Sequence, residues 1–404
     1  MKESLFSNCS SFTTNDISYP SLFSQENLPF ASTTLKVLNY NSQSSQYQPL
    51  PILSQIQKAH HSLAAIAKPK NVQKRILPTA PERILDAPDL CDDYYLNLID
   101  WGRDNVLAVC LGASLYLWNG ESKQISQLLS SDRDAAGNPS STTLTSVAYS
   151  KDRDATLAVG FSDSMIQLWD TAKNVQIRKL AGHTNRVSSL SWNQWILTSG
   201  GRDSAIIHHD VRIQDSIITK VDNAHTQEIC GLKWSPDGSQ LASGSNDNSL
   251  MVWDVNLLNT PRMVIREHKA AVKALAWCPW QSQTLASGGG TADRTMKIWN
   301  TGTGTLVNSI DTESQVCAIV WNKSKKEIIS SHGFLHNQIT VRKWPSLEVV
   351  GEMKGHESRV LHLVISPDES TLVSAGADET LRFWKLGEAE TCKSKNQSFL
   401  SDLR

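Results

Sequence analysis

The sequence predicts an all-β fold: a seven-bladed WD-repeat β-propeller with disordered N- and C-terminal tails. Three observations predict it. A tryptophan recurs after an aliphatic strand at intervals of about 40 to 50 residues, the period of one propeller blade. Between these marks lie short alternating segments broken by turn residues, the pattern of antiparallel strands. Neither feature extends into the ends of the chain.

Residues 1–80 are rich in Ser, Thr, Asn and Gln and hold no sustained period of 2 or 3.6. Such a segment buries too little apolar surface to offset its ordering entropy, so it is expected to be disordered until bound. A short helix is expected within it, over 54–69. Seven marks follow: "SLYLWN" (Trp118), "MIQLWD" (Trp169), "AIIHHD" (His209 in the tryptophan's place), "SLMVWD" (Trp253), "TMKIWN" (Trp299), "ITVRKW" (Trp344) and "TLRFWK" (Trp384). They place the propeller at 81–386. Blade four shows a complete unit, "EICGLKWSPDG", "QLASGSND", "SLMVWDV" and "RMVIREH". Blade seven offers three strands and no fourth. The unassigned piece "RILDAP" lies before blade one, so residues 82–86 are expected to supply the missing outer strand and close the ring. Residues 89–93 should then lie where blades seven and one meet. Residues 387–404 form a polar tail.

Charge is nearly balanced, with 39 Lys and Arg against 40 Asp and Glu, and no basic block suggests nucleic acid as the main partner. No apolar run reaches membrane-spanning length, and the N-terminus lacks a secretory pattern. Seven scattered cysteines without a C-x-x-C pair argue against a zinc site or a disulfide framework. The expectation is a soluble intracellular protein with reduced thiols, no metal and no cofactor.

Several blades repeat His, Ser, Asp and Trp: His225, Ser243, Asp247, Trp253; His268, Ser287, Asp293, Trp299; His356, Ser374, Asp378, Trp384. A hydrolase needs one such constellation. Three copies at blade period read as buried hydrogen-bond networks. No nucleophile elbow, phosphate loop or H-E-x-x-H motif is present, and "GGGTAD" (288–293) lacks the following helix that phosphate binding needs.

The segments "RILDAPDLCDDYYLNLIDW", "SLSWNQWILTSGGRDSAIIHHDVR", "GLKWSPDGSQLASGSNDN", "VKALAWCPWQSQTLASGGGTADR" and "SHGFLHNQ" resemble the fizzy family across roughly residues 75 to 385. These are non-enzymatic, substrate-recruiting activators of the anaphase-promoting complex, a ubiquitin ligase. The resemblance implies binding of degron-bearing substrates such as cyclins and securin in mitosis or meiosis. It implies spindle-checkpoint proteins as further partners, and action in the nucleus and cytoplasm. A destruction box, R-x-x-L, would place its arginine on Asp93 and Glu379, since guanidinium pairs well with carboxylates. Without the resemblance, Asp93 reads as a turn former and Glu379 as a solvated acid. A K-E-N degron would meet Asn246, Asn248, Thr291, Gln315 and Arg359, with Arg359 taking its glutamate. Asn246 and Asn248 alone would read as turn chemistry around Asp247.

Ligase docking is implied at "KVLNY" (Lys36, Val37, Leu38, Tyr40) and at the terminal Leu403-Arg404, where the family carries Ile-Arg. One family box departs. "DISYPSL" (16–22) keeps Asp16 and Pro20, but Ile17 and Leu22 stand where the family has arginines. No Ser-Pro or Thr-Pro occurs before residue 80. The alternative these departures favour is a divergent scaffold or inhibitor that holds degron-bearing or checkpoint proteins without activating the ligase.

Overall fold

The computed structural model describes residue 75 and residues 77–131, 141–153, 155–334 and 336–387. Asp16, Pro20, Lys36, Val37, Leu38, Tyr40, Leu403, Arg404 and the helix expected over 54–69 lie outside the described residues.

Seven four-stranded antiparallel sheets follow one another along the chain. Blade one runs Ile99–Trp101, Val106–Leu111, Ser114–Asn119 and Ile125–Ser130. Blade four runs Ile229–Trp234, Gln240–Ser245, Leu250–Asp254 and Met263–Ile265. The first strand of each blade packs on the first strand of the next, and that of blade seven returns to blade one. Inner strands are buried on both faces, as Leu144–Tyr149 shows. Outer strands alternate exposed and covered positions, as in Val175–Leu180, because one face meets water.

Ring closure follows the sequence expectation. Arg83–Asp86 pairs antiparallel with Thr380–Lys385, setting Arg83 opposite Phe383 and Asp86 opposite Thr380. Phe383 of blade seven then stacks against Trp118 of blade one, with ring centroids 4.6 Å apart. One apolar cluster spans both blades and includes Leu98, Leu115, Val373 and Phe383. Ahead of this strand, Arg75 is ion-paired with Glu327, and its Nη2 donates to the Leu386 carbonyl at 2.5 Å.

A second set of tryptophans stitches neighbouring blades at their inner strands. Trp192 donates to the Ala148 carbonyl at 3.0 Å, Trp277 to Lys233 at 2.8 Å and Trp321 to Ala276 at 3.0 Å. The Pro236-Asp237-Gly238 turn joins in. Gly238 holds a φ of 70°, and a Cβ there would stand 2.5 Å from Asn193 Oδ1, whose amide nitrogen bonds the Gly238 carbonyl.

One expected mark falls out of register. Trp118, Trp169, His209, Trp253, Trp299 and Trp384 each sit opposite a leucine of the preceding strand. In blade six that place, opposite Ile328, belongs to Arg342. Trp344 lies two residues later, beyond the strand, stacked edge-on against Trp321 with centroids 5.3 Å apart. The count of seven survives, but the residue that signalled blade six is not its homologue of Trp253.

Candidate functional site

The repeated His-Ser-Asp-Trp sets are interior struts. In blade four, His225 contacts Asp247 at 3.2 Å through Nδ1 and Ser243 Oγ at 2.7 Å through Nε2, while Trp253 Nε1 donates to the same hydroxyl at 2.9 Å. Blades five and seven repeat this. Blade three holds a set that the sequence reading passed over, His183, Ser199 and Asp203, with His209 where the tryptophan would be. Burial would raise the Asp203 carboxyl, but the hydrogen bond and charge of His183, with backbone N–H donors, bring it down to about 2. The serine hydroxyls are wholly buried and already shared between two partners, so they present no nucleophile to solvent.

A different arrangement sits at one mouth of the central channel. From the closing strand the chain passes blade one, where the Asp89 carbonyl accepts from Gly112 N–H at 3.0 Å. It then crosses the mouth through Asp92–Tyr95. Asp92 binds Arg359, with Nε donating to Oδ1 at 2.5 Å and Nη2 to the main-chain carbonyl at 2.9 Å. Asp93 accepts from Arg186 Nη1 at 2.8 Å, and Arg186 is also held bidentately by Glu228 at 2.7 and 2.8 Å. Tyr94 is buried and donates to the Val316 carbonyl at 3.1 Å. Tyr95 donates to Asn246 Oδ1 at 2.9 Å. Four consecutive side chains thus reach blades three, four, six and seven.

Beneath Tyr94 lies Lys273, buried, with Nζ donating to the Leu361 carbonyl at 3.1 Å and standing 5.5 Å from the Tyr94 ring centre. Burial pulls its ammonium down to about 8. The neighbouring thiol of Cys317 is pushed up to about 12 by burial, so it is inert at neutral pH. All five described cysteines are free. Among the described residues, no group of three or more His, Cys, Asp or Glu could hold a metal ion.

A cavity of about 600 Å³ opens beside the crossing segment. Asn246, Asn248, Thr291, Gln315 and Arg359, five residues scattered over more than a hundred positions of sequence, all line it. Asn248 holds a φ of 66° in the turn after Asp247, so the turn chemistry expected of it is present as well. Thr291 is exposed, Gln315 is buried and Arg359 is partly covered, with Phe334 5.4 Å from its guanidinium. Asp92, Asp93, Tyr94 and Tyr95 complete the wall. A second cavity of about 530 Å³ adjoins it, sharing Asp93, Tyr95 and Asn246 and adding Arg186, Arg202 and Glu228.

The structure does not bring Asp93 to Glu379. Asp93 is committed to Arg186 of blade three, on the other side of the mouth from blade seven. Glu379 is exposed in the turn that opens the last strand of blade seven, at a φ of 55°, and lines neither cavity. Its carbonyl accepts from Ala87 N–H at 2.8 Å, so the acid set beside it by strand pairing is Asp86. Residues 87–90 do lie where blades seven and one meet; Asp92 still reaches blade seven through Arg359, while Asp93 is held by Arg186 of blade three.

The sequence profile of the CDC20/Fizzy WD40 domain matches residues 85–384. The chain belongs to the CDC20/Fizzy family. It is 50% identical over 320 residues to the anaphase-promoting complex subunit cdc20 of Dictyostelium discoideum, covering 79% of this chain and 62% of that protein. It therefore spans less than two thirds of that relative's length. It is 47% identical over 352 residues to cell division cycle 20.1, cofactor of APC complex, of Arabidopsis thaliana, covering 85% and 75%. Meiotic fizzy-related protein 1 of Schizosaccharomyces pombe is 47% identical over 313 residues, covering 78% and 72%. A chain in the crystal structure of the mitotic checkpoint complex superposes with a TM-score of 0.73 at 40% identity, covering 86% of this family member and 99% of that chain.

Proposed function

We propose that this chain is a substrate-recruiting subunit of the anaphase-promoting complex, an adaptor that presents degron-bearing proteins such as cyclins and securin to that ligase in mitosis or meiosis, in nucleus and cytoplasm. The observation that carries the reading is convergence: Asn246, Asn248, Thr291, Gln315 and Arg359 meet on one cavity. Their amides and hydroxyl suit the asparagine and backbone of a K-E-N degron, and Arg359 suits its glutamate. At the adjoining wall Asp93 and Glu228 both pair with Arg186, and their carboxylates are the groups that suit the degron lysine. The arginine of an R-x-x-L box is assigned to Glu379 with Asp86 in place of Asp93, on the strand pairing that sets Asp86 opposite Thr380. The names of the relatives support the ligase as partner, and the checkpoint-complex neighbour supports checkpoint proteins as further partners. Weak degron contacts combined with ligase docking through the tails would raise substrate concentration at the ligase by tethering.

The test is reconstituted ubiquitination by purified anaphase-promoting complex stripped of its activators. This chain is added with substrates carrying K-E-N, R-x-x-L or neither. Degron-dependent chain formation is the expected result. Substrate binding with ligation at background would instead make the protein a scaffold or inhibitor.

A further inference from the structure

In the unliganded molecule the recognition groups of the mouth cavity are already occupied by the chain itself. Arg359 gives its Nε to Asp92 Oδ1 at 2.5 Å and its Nη2 to the Asp92 carbonyl at 2.9 Å. Asn246 is satisfied at both ends of its amide: Oδ1 accepts from Tyr95 at 2.9 Å, and Nδ2 donates to Gln227 Oε1 at 2.6 Å. The two partners differ in how firmly they are held. Tyr95 follows the anchored Tyr94 and is partly buried. The Asp92 side chain is 57% exposed, and among the described residues its carboxylate pairs with Arg359 alone. Its carboxylate can therefore swing into water while its main-chain carbonyl keeps Nη2.

We infer that Asp92 is a specificity-determining residue of the mouth cavity, a built-in carboxylate that stands in for the ligand's acid on Arg359 and must be exchanged for it. The inference rests on the cavity being the K-E-N site proposed above. Two carboxylates cannot share the Nε edge of one guanidinium without mutual repulsion, so a glutamate that takes this edge of Arg359 displaces Asp92 Oδ1. A ligand with a neutral residue at that position leaves the internal pair intact and gains nothing from Arg359. A ligand with an acid but no other anchor gains only the difference between two similar ion pairs. The exchange thus raises the threshold for weak acidic peptides while preserving selection for glutamate in a ligand anchored elsewhere.

The experiment measures fluorescence anisotropy of two labelled peptides, one with K-E-N and one with K-Q-N, on the full chain. Wild type, Asp92→Asn and Arg359→Ala are compared, with thermal unfolding showing each to be folded. An exposed ion pair is worth up to about 1 kcal/mol, so Asp92→Asn should tighten K-E-N by about two- to fivefold. It should leave K-Q-N unchanged. Equal affinity of wild type and Asp92→Asn for K-E-N overturns the inference. So does weakening of both peptides, which would make Asp92 a contact for the ligand lysine. If K-E-N fails to bind wild type, or binds Arg359→Ala equally well, the cavity reading itself falls. If K-E-N binds through Arg359 and ignores Asp92→Asn, that reading stands and only the exchange is refuted.

Discussion

Replacing Arg186 with alanine separates the structural and recognition roles of the channel mouth. Arg186 pairs with both Asp93 and Glu228, with side-chain exposures of 19%, 24% and 9%. Burial would lower its guanidinium pKa, but the hydrogen bonds and charges of Glu228 and then Asp93 outweigh that and hold it above its ordinary value. Breaking a fully buried ion pair by removing one partner costs about 3–5 kcal/mol, whereas exposed pairs are worth about 0–1. This cluster lies between those limits. Its bidentate geometry and the covered Glu228 put the loss at about 2–3 kcal/mol, part of it from two carboxylates left facing each other. In a domain of this size that is on the order of 5 °C in Tm. Asp93 would also lose what orients it, since Tyr95 N–H alone then holds its carboxylate, at 2.8 Å. The K-E-N peptide should therefore bind more weakly than the stability loss alone would suggest. Calorimetry and peptide anisotropy on Arg186→Ala, Glu228→Gln and the double variant provide the check. A double variant whose stability loss equals the sum of the singles would refute the coupling, and with it the reading of these residues as one unit.

Ser243→Ala leaves the wholly buried His225 Nε2 and Trp253 Nε1 without partners. It should destabilise by about 3 kcal/mol in urea titration while leaving degron affinity unchanged. Burial holds His208 at about 4, His209 at about 3 and His332 at about 4 in the folded protein. Below about pH 6.5 the unfolded chain takes up protons that the folded one refuses, so stability is fully present above that pH and falls as pH drops toward 4. Three such groups predict a loss of roughly 4 kcal/mol per pH unit in that window, and equal urea midpoints at pH 7 and 5.5 would refute it. Asp86→Ala and Glu379→Ala should each lower ubiquitination of R-x-x-L substrates, and Asp93→Ala should spare them; the reverse pattern would restore the pairing of Asp93 with Glu379.

The two things the sequence misplaced have one cause. Periodicity reports where a strand lies, because burial repeats with the blade, and so the seven blades and the closing strand at Arg83–Asp86 were legible. It says nothing about direction once the chain leaves a strand. Trp344 follows "ITVRK" closely enough to mimic the recurring tryptophan, yet the register gives that place to Arg342. Asp93 follows the closing strand closely enough to be placed at the same junction, yet its carboxylate meets Arg186 of blade three. The signal for this was present in "DDYYLN": two acids beside two tyrosines form a poor solvent-exposed loop, so the aromatics had to be going inward and the acids had to be meeting cations there. The five cavity residues were named through the resemblance to the fizzy family rather than through spacing. Asn246, Asn248 and Thr291 lie in turns between the second and third strands of blades four and five, Gln315 and Arg359 just ahead of the first strands of blades six and seven, and the closed ring brings these loops together on one cavity. Spacing predicts the blades and their strands. What crosses between repeats, as Asp92 and Tyr95 do, depends on pairwise chemistry that only the folded ring reveals.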